Sequence, residues 1–268
     1  MPLAFPPLPF SPTRLRSYIL RLPLFTRTVL IAIVTLCLLD LQPAWSVARW
    51  GALKPSEVSL MSMHRLNTYP IVHQGFIHAF LNILALTPLL ERFEAEYGTL
   101  TSLAMFFGPL STFPGGLYIL VEKCIFRQDT AILGSSIWVF LLLASEAMKT
   151  YASNPHFSLG TYKIPTWATP LIGTIFVSAL IPNTSFVGHL CGIAVGYALG
   201  LGYLKILFPP EKILRWVESK LNLLGILPHY VSVDQKTYGR YGILPTGNSS
   251  SGPGTTMSYF GSTQRLGP

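Results

Sequence analysis

Residues 186–208 read FVGHLCGIAVGYALGLGYLKILF, with one charged side chain, Lys205, near the far end. About 20 apolar residues at 1.5 Å each cross a hydrocarbon core of about 30 Å, so the stretch reads as a membrane-spanning helix. Two features distinguish it from a plain apolar anchor. Gly188, Gly192, Gly196 and Gly200 recur every fourth residue. They make a smooth stripe along one face, where a second backbone can come close. His189 lies about three residues in from one end, and an ionisable side chain in hydrocarbon costs a few kcal/mol, which marks it as a functional candidate.

Five further apolar stretches lie upstream, at roughly Thr28–Val47, Ile71–Leu90, Leu100–Val121, Ala131–Met148 and Thr166–Ile181. Pro109, Pro114, Gly115 and Gly116 interrupt the third, and the fifth is short. Such breaks are tolerated where neighbouring helices cover the backbone. The composition agrees. Of 268 residues, 50% are hydrophobic and 11% charged, against about 25% charged in a soluble domain. A soluble enzyme and a disordered chain are excluded. An outer-membrane barrel would alternate in ten-residue segments, and these runs are continuous. The expectation is an all-α membrane protein, a bundle of six transmembrane helices. Cys37, Cys124 and Cys191 lie far apart, with neither metal spacing nor a disulfide pattern, so neither metal nor cofactor is expected.

The net charge of +8 reads as a topology signal. Five of the 19 lysines and arginines (Arg49, Lys54, Arg65, Lys123, Arg127) fall on one side of the six spans, and the other fourteen on the side of the N-terminus. That bias puts both termini in the cytosol and requires an even number of spans. Residues 1–27 form a basic cytosolic arm, 28–208 the membrane core, and 209–268 a cytosolic remainder. Pro209 and Pro210 break the helix. Glu211–Leu224 is amphipathic, suited to a membrane surface. From about His229 the chain is rich in Gly, Ser, Thr and Pro and is expected to be disordered.

Few strongly polar residues fall inside the spans. His78 and Asn82 sit in the second, one helical turn apart on the same face. Ser136 sits in the fourth, within Gly134-Ser135-Ser136, and His189 in the sixth. All four fall in the half of the bilayer away from the cytosol, at depths of about 5–16 Å at 1.5 Å per residue. A serine and a histidine at matching depth on two helices can act as nucleophile and base. His78 and Asn82 can donate hydrogen bonds to a developing oxyanion. The glycine stripe predicts that the sixth helix packs closely on the fourth.

These residues resemble the rhomboid intramembrane serine proteases over about residues 26–208. Arg65, His73, His78 and Asn82 follow that family's spacing in the second span, with Glu94 and Gly98 at its cytosolic end. Gly134-Ser135-Ser136 is similar to its Gly-x-Ser motif, and Gly188-His189-Leu190-Cys191-Gly192 to its histidine-glycine motif. The resemblance implies a Ser136–His189 dyad without a carboxylate. His78, Asn82 and the Ser136 amide would line an oxyanion hole, with His73 and Arg65 supporting the site and the first loop. Gly134, Gly188, Gly192 and Gly196 would serve helix packing, and Phe140 would stack on His189. Ile137 and His64 stand where relatives carry a small residue and a tryptophan. The likeness is strongest to fungal rhomboids of the Golgi and early secretory membranes, which cleave single-pass membrane proteins.

Residues 259–267, with Tyr259, Phe260, Arg265 and Leu266, resemble a short linear motif that binds an AAA unfoldase. The alternative function is a catalytically silent, derlin-like adaptor that binds membrane helices and recruits that unfoldase. The presence of both Ser136 and His189 argues against it. No nucleic-acid partner is expected.

Overall fold

The computed structural model describes residues 12–181 and 184–236. In order, the helices are α1 (Pro12–Arg21), α2 (Leu24–Leu39), α3 (Val47–Gly51), α4 (Arg65–Thr68), α5 (Phe76–Tyr97), α6 (Thr99–Phe106) and α7 (Pro109–Leu120). The last runs into a π-helical turn, Val121–Phe126. Then come α8 (Ser136–Tyr151), α9 (Thr169–Leu180), α10 (Phe186–Gly200), α11 (Glu211–Lys220) and α12 (Leu223–Ile226). The helical expectation holds apart from one element. Strands β1 (His156–Leu159) and β2 (Tyr162–Pro165) pair antiparallel between α8 and α9. Their short turn uses Gly160 at φ 61°.

Helices occupy all six stretches read from the sequence, but with shifted ends. Pro23 starts α2 four residues early, and the polar Asp40 and Gln42 with Pro43 end it by Leu39. Gly75, at φ 82°, delays the start of α5 to Phe76. The third stretch is broken at Gly108, where Pro109 restarts the helix without needing an amide donor. Two helical segments, Phe76–Tyr97 and Thr99–Phe126, are long and apolar enough to cross a membrane. Leu24–Leu39, Thr166–Leu180 and Phe186–Gly200 are shorter apolar helices.

Helix α8 is the axis of the core. Ile137, Trp138, Val139, Phe140, Leu141, Leu142, Ala144 and Ala147 are all buried. Trp138 meets the Phe106 ring edge-on at 5.1 Å and donates its indole N–H to Ser111 Oγ at 3.1 Å, as a buried indole must. Large apolar residues of α2, α5 and α9, among them Ile31, Leu84 and Phe176, are instead exposed. An outward apolar surface of this kind suits a lipid solvent.

Two polar nodes lock the end of the bundle opposite Ser136. Glu94 is fully buried. It accepts the amides of Phe25 and Thr26, both at 2.8 Å, and the hydroxyls of Thr26 and Thr99 at 2.9 and 2.6 Å. A carboxylate thus caps the otherwise unsatisfied first turn of α2. The second node joins α5 to the end of α8. Arg92 meets Glu146 at 2.8 Å, and Lys149 meets Glu96 at 2.8 Å and Glu146 at 3.1 Å.

The chain after His229 departs from its expected disorder as far as Lys236. The carbonyls of His229 and Val231 accept the amides of Leu24 and Thr99, both at 2.9 Å. Tyr230 OH and the Val233 amide donate to the buried Glu218 of α11 at 2.8 and 3.0 Å. Tyr230, Ser232 and Val233 are buried. Polar composition hid this segment because its stabilisation is mostly main-chain hydrogen bonding. Gly98, at φ 91°, leaves room for it, since a Cβ there would sit 3.3 Å from the Val231 carbonyl oxygen. Tyr259, Phe260, Arg265 and Leu266 lie outside the described residues.

Candidate active site

The nucleophile candidate sits at a helix start, not inside one. The fourth helix begins at Ser136 instead of near Ala131, because residues 131–135 are used otherwise. Leu53 and Ile132 exchange backbone hydrogen bonds at 2.8 and 2.9 Å. Gly134 donates its amide to the Tyr69 carbonyl at 2.8 Å. It holds φ 111°, and its missing Cβ would lie 2.7 Å from Cε1 of His78. Gly134 therefore admits the His78 ring and does not pack two helices together, as had been expected. Ser135 is fully buried, its Oγ 3.1 Å from Nε2 of His73, and its amide donates to the same nitrogen at 3.1 Å. His73 thus accepts on Nε2 and fixes the turn that launches α8. Ser135 was not singled out in the sequence, although it adjoins the candidate nucleophile. At the start of α8 the first amides, Ser136 and Ile137 among them, have no intrahelical acceptor.

Ser185 prepares the partner helix by accepting the Gly188 amide at 3.0 Å, an N-cap that starts α10 just before His189. His189 Nε2 lies 2.9 Å from Ser136 Oγ. Its Nδ1 has no hydrogen-bond partner among the described residues, so no carboxylate orients the ring. The Phe140 ring does so instead, at 4.4 Å and an interplanar angle of 36°. The contact is tilted and not a parallel stack.

Close packing of α10 on α8 makes this pairing possible. A Cβ on Gly192 would lie 2.6 Å from the Ile137 carbonyl oxygen, one on Gly196 would collide with the Leu141 carbonyl oxygen, and one on Gly200 would come within 2.7 Å of that of Ser145. Gly188 differs, because its nearest neighbour is its own cap, Ser185 Oγ at 3.1 Å. It serves the helix start and not the helix–helix contact. Ile137, bulkier than expected at its position, is accommodated against Gly192.

Two hollows meet at the Ser136–His189 pair. A polar cavity of about 70 Å³ is lined by Tyr69, Gln74, His78, Ser136, Ser185 and His189, among others. An apolar cleft of about 270 Å³ runs from the same pair between α5 and α9, past Leu81, Asn82, Phe140 and Val177. Asn82 is buried and donates one amide hydrogen to the His78 carbonyl at 2.9 Å, which leaves its second N–H free to donate.

Arg65 acts at a distance. Its guanidinium donates to the carbonyls of Arg49 and Ala52 at 3.0 and 2.6 Å and pairs with Glu57 at 2.9 Å. It thereby holds the loop whose Leu53 pairs with Ile132. A second clasp on this loop joins Ser56 to Asp129, whose carboxyl is held below its usual value first by the Ser56 hydroxyl. No group of three His, Cys, Asp or Glu side chains able to hold a metal occurs among the described residues.

A serine hydroxyl bonded to an unassisted histidine, at the junction of a polar cavity and an apolar cleft in a helical membrane bundle, defines the class of intramembrane serine hydrolases. The comparisons give the family. The Rhomboid domain model matches residues 61–206. "Rhomboid-type serine protease B" of Aspergillus fumigatus is 66% identical over 270 residues, covering 100% of this chain and 99% of its own. "Rhomboid-type serine protease 2" of Gibberella zeae is 58% identical over 260 residues, covering 97% of each chain. Its namesake in Neurospora crassa is 55% identical over 262 residues, covering 97% and 95%. The chain belongs to the rhomboid family of serine proteases, integral membrane proteins that act on membrane protein substrates.

Proposed function

We propose that this chain cleaves single-pass membrane proteins with a Ser136–His189 dyad. The observation that carries the reading is the 2.9 Å contact between Ser136 Oγ and His189 Nε2, made where both side chains face the cavity and the cleft. His189 takes the hydroxyl proton as Ser136 Oγ attacks the substrate carbonyl carbon. The oxyanion is received by the amide at the start of α8, with His78 and Asn82 as further donors. The imidazolium then protonates the leaving amine, and water releases the acyl group by the reverse path. The apolar cleft between α5 and α9 suits the flank of a substrate helix, and the polar cavity suits the hydrolytic water.

The reading includes six membrane crossings with both termini cytosolic, in a Golgi or early secretory membrane. The basic-residue bias supports the topology, and the five shorter or longer apolar helices together with α8 supply the crossings. The 16 residues of α8 extend about 24 Å at 1.5 Å each, short for a crossing. Its burial within the bundle compensates, because neighbouring helices and not lipid solvate its ends. The segment at 259–267 is proposed to recruit an AAA unfoldase. The adaptor alternative is not favoured, since an adaptor has no use for a hydrogen-bonded serine–histidine pair. The decisive experiment is co-expression with a tagged single-pass substrate. Cleavage by the native chain and none by Ser136→Ala at equal abundance is expected. Wild-type cleavage by Ser136→Ala would refute the dyad.

A further inference from the structure

At the end of the bundle opposite the dyad lies a second cavity, of about 290 Å³. It is bounded by Tyr97 and Thr101 from the α5–α6 corner, Lys205 and Phe208 from the segment after α10, Glu211 at the start of α11, and Lys236, the last described residue. From His78 to Tyr97 is 19 residues of α5, about 28 Å at 1.5 Å per residue, so this cavity belongs to the other leaflet. Its charges do not cancel. Lys236 pairs with Glu211, whereas the Lys205 ammonium makes neither an ion pair nor a hydrogen bond among the described residues. Two lysines and one glutamate leave a single positive charge in a cleft with the Phe208 ring as one wall. The surface beside it is apolar and unpartnered: Ile206 is 89% exposed, and Ile213 and Trp216 of α11 are exposed as well.

We propose that this cavity binds the phosphodiester headgroup of an anionic phospholipid from the leaflet opposite the dyad. One uncancelled lysine charge matches the single negative charge of a phosphodiester. Lys205 and Lys236 donate to the phosphate oxygens, and the acyl chains lie over Ile206, Leu207, Ile213 and Trp216. A tryptophan at that level is at home at a membrane interface. Each lysine near an anionic surface adds about 1 kcal/mol, about a fivefold change in affinity. Helix α11 and residues 229–236, which are joined by the hydrogen bonds to Glu218 and by the Arg215–Asp234 and Lys236–Glu211 ion pairs, are thereby fastened to the bilayer.

The test uses the full chain in neutral detergent, given phosphatidylglycerol, phosphatidylcholine or inorganic phosphate. Native mass spectrometry counts retained lipids and thermal unfolding reads stabilisation. One phosphatidylglycerol is expected to remain bound and to raise Tm, with phosphatidylcholine and inorganic phosphate doing neither at the same concentration. Lys205→Ala, or Lys205→Gln which keeps most of the stem, should weaken phosphatidylglycerol retention about fivefold, and Lys205→Arg should preserve it. Substrate cleavage in neutral detergent should be unchanged in all three variants. Equal retention of phosphatidylcholine, or unchanged phosphatidylglycerol retention in both neutral variants, overturns the proposal. Inorganic phosphate that reproduces the stabilisation and displaces the lipid overturns the lipid assignment in favour of a free anion.

Discussion

Replacing Gly192 with alanine adds one methyl group at the point where α10 rests on α8. The new Cβ would sit 2.6 Å from the Ile137 carbonyl oxygen, and ordinary contact begins near 3.4 Å. The obstacle is backbone at the start of α8, which has no rotamer to change, so the helices must part by about 0.8 Å. His189 precedes Gly192 by about one turn, and Ser136 adjoins Ile137. The same displacement stretches their 2.9 Å contact to roughly 3.7 Å, past the reach of about 3.2 Å that proton transfer requires. A misplacement near 1 Å costs on the order of 100-fold in rate, so kcat should fall about 10- to 100-fold. Overpacking costs about 1–3 kcal/mol, and Tm falls about 2–4 °C per kcal/mol in a chain of this size. The assay is cleavage of a purified single-pass substrate in detergent, with thermal unfolding on the same samples. Gly116→Ala is the control, because nothing lies within 4 Å of a Cβ there. Native turnover and native Tm in Gly192→Ala would show that the interface yields elsewhere and that close packing does not hold the dyad.

Three further outcomes follow from the same structure. Glu94→Ala should lower stability by about 3–5 kcal/mol, since a buried charged acceptor of four hydrogen bonds is lost; unchanged thermal unfolding would show that water replaces it. Truncation after residue 245 should leave Tm and cleavage in detergent unchanged, whereas truncation after Leu227 removes residues 229–236 and should lower both. Equal behaviour of the two truncations would mean that residues 229–236 carry no stability. His78→Ala or Asn82→Ala should reduce kcat by about 10²–10³-fold with little change in KM, as loss of an oxyanion donor does; an effect confined to KM would assign these residues to substrate binding.

How much of this was legible in the sequence depended on where the information is stored. The meeting of Ser136 and His189 was readable because hydrocarbon makes polar residues conspicuous and because glycine at every fourth position announces a close helix neighbour. Helix ends were less readable. The start of α8 depends on Leu53 pairing with Ile132 and on His73 bonding Ser135, contacts over long sequence separations that local propensity does not contain. The expected helix-packing role of Gly134 failed for the same reason, as nothing nearby in sequence shows that a histidine ring fills its side-chain space. Residues 229–236 look like tail by composition, yet they are anchored by Tyr230 and Val233 on Glu218.

The Glu94 node also bears on how the protein is made. Helix α2 leaves the ribosome early, but the acceptor for its first amides lies 69 residues downstream of Phe25. The acceptor for Leu24 is the carbonyl of His229, near the other end of the chain. During synthesis α2 therefore waits with an uncapped end until Glu94 of α5 has been made, and the Leu24 amide gains its acceptor only once residue 229 has followed. The start of α2 is consequently completed only by residues far downstream, and a chain interrupted before His229 leaves the Leu24 amide without that acceptor.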